Sequence, residues 1–227
     1  MIDVGPERGI MTTRNEINPA KKLAPQQKRS REARERILLA AEELLRHEGV
    51  DGFSMAAVAR VAGLPVGNIY RRFEGRDDLL TALKEIVASR IISAVAEAVQ
   101  CREHEDLRGF VMTFARAIGE VFSRDEALHR ALFDPRVASP AMLVTGVSTK
   151  TANFRLFHDG VSKYTENSPA EEVLLSSKVA FSVIVNAPLQ KLRGVDVLLS
   201  GMEWDVIISQ FGTAAFLYLE AALPKSA

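Results

Sequence analysis

The chain has 227 residues, 47% of them hydrophobic and 26% charged, and carries no formal net charge. That is ample to bury a core in one large domain or two modest ones, and it excludes a polycation acting through bulk charge. A single cysteine, Cys101, excludes an intramolecular disulfide framework and a cysteine zinc site, and points to a reducing compartment.

The neutral average hides a gradient. Between Arg8 and Arg36, nine Lys/Arg stand against three Glu, a balance of plus six. Between Arg60 and Arg76, four Arg stand against Glu74, a balance of plus three, so the remainder is acidic. Such asymmetry suggests that one end meets a polyanion. The N-terminal "MIDVGPERGI" lacks the apolar block of a signal peptide. The most apolar windows, near Val179–Leu189 and Val206–Leu223, are interrupted by Asn186, Pro188, Gln210 and Glu220. Neither offers the ~20 clean apolar residues of a spanning helix. The expectation is a soluble, cytoplasmic protein with no membrane partner.

Residues 1–28 contain Gly5, Pro6, Pro19 and Pro25 with little apolar periodicity, and read as a disordered basic arm; Met11 is a second candidate start. Its charges suit either a solvated tail or, through Lys28, Arg29 and Arg31, extra phosphate or minor-groove contacts. Order begins near Arg29. Ile37, Ala41, Leu44 and Leu45 fall at helical spacing, with Arg34, Glu35, Glu42 and Arg46 opposite. Gly49 closes that helix. Ser54 is a natural N-cap for "MAAVARVA", which Gly63 ends. Pro65 suits the first turn of a third helix running only to about Arg72, because its missing N–H would have no partner there. After Gly75, Asp77 and Asp78 open a fourth helix that continues to about Cys101.

The rest also reads as helix. Leu107, Phe110, Val111, Phe114, Ile118 and Val121 form an apolar stripe. "SRDE" at 123–126, "SPAE" at 168–171 and "SGME" at 200–203 match the capping-box spacing. Ser139-Pro140 is another start, Gly160 a stop, and Pro135 and Pro224 lie beyond helix ends. With no strand alternation and no repeat, the expected fold is all-α with about nine helices.

The third helix carries the function. Two helices joined by a tight turn, the second short and polar outside, present side chains to a DNA major groove. Gly67 removes a side chain where the helix start approaches the duplex. Asn68 pairs with a base edge, most naturally adenine. Tyr70, Arg71, Arg72 and Arg76 reach phosphates, which set register without reading sequence. Ser54 and Arg76 mark helix starts whose free N–H groups favour anions. Ile69 and Phe73 point inward with Phe53, Val58 and Val61.

Residues 31 to about 91, and "AGLPVGNIYRRFEGRDDLL" above all, resemble the DNA-binding domain of the tetracycline-repressor (TetR) family of transcriptional regulators. The resemblance implies that Ser54, Pro65, Val66, Gly67, Asn68, Tyr70, Arg71, Arg72 and Arg76 face DNA. Pro65 stands where Ser or Thr is common, and Arg72 where His is common; Val66 makes the reading surface partly apolar. The resemblance further implies three segments: the arm at 1–28, a helix-turn-helix domain at 29–91, and a helical domain at 92–227. The last would bind a small-molecule effector and pair with a second copy through its last two long helices. Independently, "VLLSSKVAFSVIVNAPLQKL" and "WDVIISQFGTAAFLYLEAAL" are apolar around most of their circumference, as for helices buried on two sides.

No catalytic or metal motif is expected. His47, His104, His129 and His158 show no metal-ligand spacing and read as structural or surface groups, with an effector contact open for His158. Asn186-Ala187-Pro188 reads as a packing kink at a dimer seam or as a polar lining of an effector pocket. The expected function is thus a cofactor-free, homodimeric repressor released from a palindromic operator by a ligand. The competing class is a helical small-molecule-binding protein or enzyme whose apolar pocket is its function.

Overall fold

In the computed structural model, which describes residues 19–101 and 104–223 with side chains from residue 27 onward, every regular element is helical. The helices are α1 (Pro19–Glu48), α2 (Met55–Ala62), α3 (Val66–Tyr70), α4 (Arg76–Gln100), α5 (Leu107–Arg124) and α6 (Glu126–Leu132). A 3₁₀ turn (Pro135–Val137) precedes α7 (Pro140–Ser162), α8 (Ala170–Arg193), α9 (Val197–Ser200) and α10 (Trp204–Ala222). The described residues therefore hold ten α-helices, one more than expected. The addition is the short α9, whose N-cap Asp196 accepts from the Leu198 and Leu199 amides at 2.9 and 3.3 Å.

The chain divides into two units, residues 1–36 and 37–227. In the first, residues 1–18 of the expected disordered arm lie outside the described residues, whereas 19–28 are helical. Apolar spacing marks only the packed face of a helix, and residues 27–36 are exposed except for half-buried Ala33. The extension therefore leaves no periodic signal.

In the second unit, α1 buries Ile37, Ala41, Leu44 and Leu45 as expected. Glu42, expected on the outer side, is buried instead. It is tolerated because Arg46 Nη2 and Arg90 Nη1 donate to its carboxylate at 2.9 and 2.8 Å. Arg46 also grips Asp125 with two nitrogens, at 3.0 and 2.6 Å. This grip holds the Asp125 carboxyl below the usual carboxylate range and raises the Arg46 guanidinium further. One network thus joins α1, α4 and the α5–α6 junction.

Helices α5, α7 and α8 meet through aromatic rings: Phe114 and Phe157 lie 4.9 Å apart, and Phe181 lies 6.0 Å from Phe114. Gly160, expected to stop α7, instead lies inside it. A Cβ there would fall 1.9 Å from Phe110 Cζ, so the residue is glycine because a ring occupies its side-chain space. Gly119 allows a similar approach of α10, where a Cβ would fall 2.1 Å from Ile208 Cγ1.

The capping boxes are corrected too. Ser123 lies within α5 and donates to the Glu120 carbonyl, while α8 and α10 have Pro169 and Glu203 at their N-caps, with no side-chain cap. The acids of those motifs sit in or beside first turns, where they meet the helix dipole rather than a serine's backbone. Caps do form at Ser54, Asp106, Asp134 and Ser139. Helix α8, with a mean hydropathy of 1.3 over its best window, is long and apolar enough to cross a membrane, unlike the expectation; half of that window is buried inside the bundle.

Candidate nucleic-acid interface

Helix α2 begins where Ser54 Oγ accepts from the Ala57 amide at 3.2 Å. It ends at Gly63, whose φ of 61° is the left-handed conformation that glycine adopts without penalty. There the Leu64 amide reaches back to the Ala59 carbonyl at 3.0 Å, and the Gly63 amide to Arg60 at 3.2 Å. These paired bonds form the Schellman closure, which turns the chain tightly into α3. Pro65 stands at the N-cap of α3, one residue before its expected place. Helix α3 ends at Tyr70, with Arg71 and Arg72 in the turn that follows.

Burial is sharply divided along α3. Ile69 is 0% and Phe73 2% exposed, packed with buried Phe53 and Val58 and half-buried Val61. On the open side, Val66 is 42% and Tyr70 55% exposed. Ser54, Pro65, Gly67 and Arg71 are exposed as well. Gly67 has no left-handed φ, and a Cβ built on it meets nothing within 4 Å. Neither backbone geometry nor internal packing therefore asks for glycine there.

The remaining expected contacts are half-buried and engaged. Asn68 Oδ1 accepts from Arg71 Nη2, and its carbonyl accepts from Arg72 Nη1 at 2.9 Å. Arg76 turns back toward the loop before α2: Nη2 donates to the Val50 carbonyl at 3.2 Å, and the guanidinium lies 5.9 Å from the Phe53 ring centroid. Its Nε is buried without a partner. Asp78 accepts from the Glu74 amide at 2.9 Å, so a carboxylate already occupies the α4 start that seemed suited to an external anion.

Residues 37–83 match the sequence model of the bacterial regulatory proteins of the tetR family, a segment that contains α2, α3 and their core. Over that segment the chain is similar to the tetR family. The fold as a whole is shared with solved structures. A Mesorhizobium loti MAFF303099 protein described as a TetR-family transcriptional regulator superposes with TM-score 0.69 at 16% identity, over 85% of this chain and 98% of that one. A protein of unknown function from Rhodococcus sp. RHA1 gives 0.64 at 23% identity, over 82% and 94%. The multidrug binding protein EbrR, complexed with imidazole, gives 0.56 at 20% identity, over 86% and 96%. Curated protein sequences include no match.

Two features lie beyond the helix-turn-helix, and only the first escapes the sequence reading. The first is a cavity of about 320 Å³ among α4, α5, α6, α7 and α8, walled by Ile91, Phe122, Phe181 and Val185. Lys84 and Asn186 also line it, so Asn186 does face a pocket. One signal was available: Lys84 shares a helical face with Leu80, Val87 and Ile91, a cation at a core-facing position. The second is an apolar outer face. Helix α8 buries Ala180, Phe181 and Ile184 yet exposes Leu175 and Val179; α10 buries Ile207, Ala215 and Leu219 yet exposes Val206 and Leu217.

Three of the four histidines meet groups of the scaffold, and His47 is exposed. His129 is buried, its Nδ1 donating to the Asp125 carbonyl at 2.9 Å, and burial pushes its pKa down. His158 Nδ1 lies 3.2 Å from Ser177 Oγ, and His104 Nε2 lies 3.2 Å from the Val99 carbonyl. Among the described residues, no cluster of three His, Cys, Asp or Glu is placed to hold a metal ion.

Proposed function

We propose that this chain is a cytoplasmic, homodimeric repressor of the TetR family that binds a palindromic operator and leaves it when a small molecule fills the cavity. The carrying observation is the division of α3: two fully packed anchors behind an open face of Val66, Gly67, Tyr70 and Arg71. Anchors of that kind hold a reading surface rigid. Pro65, Val66 and Gly67 form its apolar leading edge, suited to a thymine methyl. Asn68 reads a base once Arg71 releases its Oδ1 to take a phosphate, so the two roles are linked. Tyr70, Arg72, Ser54 and Arg76 complete the backbone contacts, and Arg76 must swing away from Val50 to do so.

The exposed apolar faces of α8 and α10 support pairing with a second copy. Each helix would then be buried on both sides, in a symmetric interface. The description of EbrR as a multidrug binding protein supports an effector in the cavity. Helix α4 is the lever: it starts beside the reading unit at Arg76 and contributes Lys84, Val87 and Ile91 to the cavity wall. A ligand that favours one separation of the two reading helices shifts the DNA equilibrium by its differential affinity for the two states.

The test is binding to a palindromic fragment from the region upstream of its own gene, across a salt series. A regulator loses affinity steeply as salt rises, yet keeps its preference for that fragment over random duplex. Equal affinity for both fragments at every salt concentration overturns the proposal.

A further inference from the structure

The cavity has an asymmetric chemistry. Three cations line it, Lys84 from α4, Lys150 from α7 and Arg193 from the end of α8, and no described carboxylate does. Lys84 is half-buried; its Nζ makes one hydrogen bond, to the Leu132 carbonyl at 3.4 Å, and lies 4.8 Å from the Phe133 ring centroid. An ammonium carries three donors, so its hydrogen-bonding capacity is not exhausted there. Burial and then the charge of Arg193 push the Lys84 pKa down, the mark of a cation lacking a counter-charge.

A second polar group is independent of these charges. Asn153 of α7 is 3% exposed; its Nδ2 donates to the Thr149 carbonyl at 3.0 Å, but its buried Oδ1 has no partner. Buried acceptors are almost always paired, so this orphan calls for a hydrogen-bond donor, which a water or a hydroxyl on the occupant supplies and a carboxylate head does not. Between these groups the wall is apolar. At about 320 Å³ the space lies at the small end of small-molecule pockets.

We propose that the occupant is a compact amphipathic organic acid, its anionic head held by Lys84 and Arg193 and its apolar body lying against Ile91, Phe122 and Phe181. The inference rests on the reading of this cavity as the effector site. An anion there removes the unfavourable proximity of two cations and supplies charge-assisted hydrogen bonds, which a neutral ligand of the same shape cannot. It also contacts α4 and α8 together, the helix of the reading unit and a helix of the proposed dimer face.

The test is calorimetric titration of the full-length protein, without DNA, with decanoate, decanol and decylamine. Decanoate should bind roughly ten-fold or more tightly than decanol, and decylamine not detectably, from the usual strength of hydrogen bonds to charged groups. Lys84→Gln and Arg193→Gln should each weaken decanoate roughly ten-fold and leave decanol unchanged. Arg193 is exposed at a helix end, so its variant serves even if Lys84→Gln fails to fold by circular dichroism. Decanol or decylamine binding as tightly as decanoate, unchanged affinity in the folded variants, or no binding of any probe overturns the proposal. Because decanol reports the apolar cavity alone, its binding without acid preference sinks the acid and leaves the regulator reading standing.

Discussion

Gly67→Ala separates a DNA-facing role from a structural one. Position 67 is the second residue of α3, its φ is not left-handed, and an added Cβ meets no atom within 4 Å. Considered within the protein alone, the change should help: alanine restricts the unfolded chain and favours helix, by about 0.4–1 kcal/mol. For a chain of this size that raises the midpoint of thermal unfolding by roughly 2–4 °C per kcal/mol. Against a duplex the sign reverses. If the backbone at 67 sits against DNA, an extra methyl in a close-packed contact costs about 1–3 kcal/mol, or roughly 5- to 150-fold in affinity. Thermal melting and fluorescence anisotropy with operator DNA measure the two effects on one preparation. Operator affinity equal to that of the unaltered protein, or a lowered melting point, would refute the reasoning.

Other perturbations test the frame. Gly160→Ala places a methyl within the Phe110 ring and should destabilise by about 1–3 kcal/mol, seen as a lower urea midpoint at unchanged slope. Leu217→Asp puts a charge on the exposed apolar face of α10; sedimentation should show monomers, with operator affinity lost while the helical circular dichroism signal stays. His129 gives the pH test. Its folded pKa lies below the usual value near 6.5 because it is buried, so the unfolded chain binds the proton first. The stability contribution is complete above about pH 6.5, falls as pH drops from there toward the lower folded pKa, and levels off beneath it. His129→Gln should flatten that part of the curve in urea titrations at successive pH values; an unchanged slope assigns it to other groups.

The TetR-like start of the chain was legible because its signals are local. The hydroxyl of Ser54, the left-handed Gly63 and the acids after Gly75 each act within a turn of their own position. Serine-acid spacings at 123, 168 and 200 misled because the helix start depends on packing that fixes the first turn, and Pro169 and Glu203 took the N-cap positions. Gly160 shows the same limit: a helix stop and a seat for a ring on another helix look alike until Phe110 is placed. The candidate reading surface could be named residue by residue, but not the back-folding of Arg72 and Arg76, which depends on Asn68 and Val50 lying within reach. The cavity draws on five helices, and no linear pattern reports that convergence.

The central claim is that the open face of α3 lies in a major groove, beside the same face of a second copy. A hydroxyl-radical footprint on the upstream fragment tests it most directly. Two protected stretches about one helical turn apart, ~34–36 Å between centres, are the predicted result, and both should vanish with the double substitution Tyr70→Ala, Arg71→Ala. A single stretch, or protection that survives that double substitution, would contradict the claim.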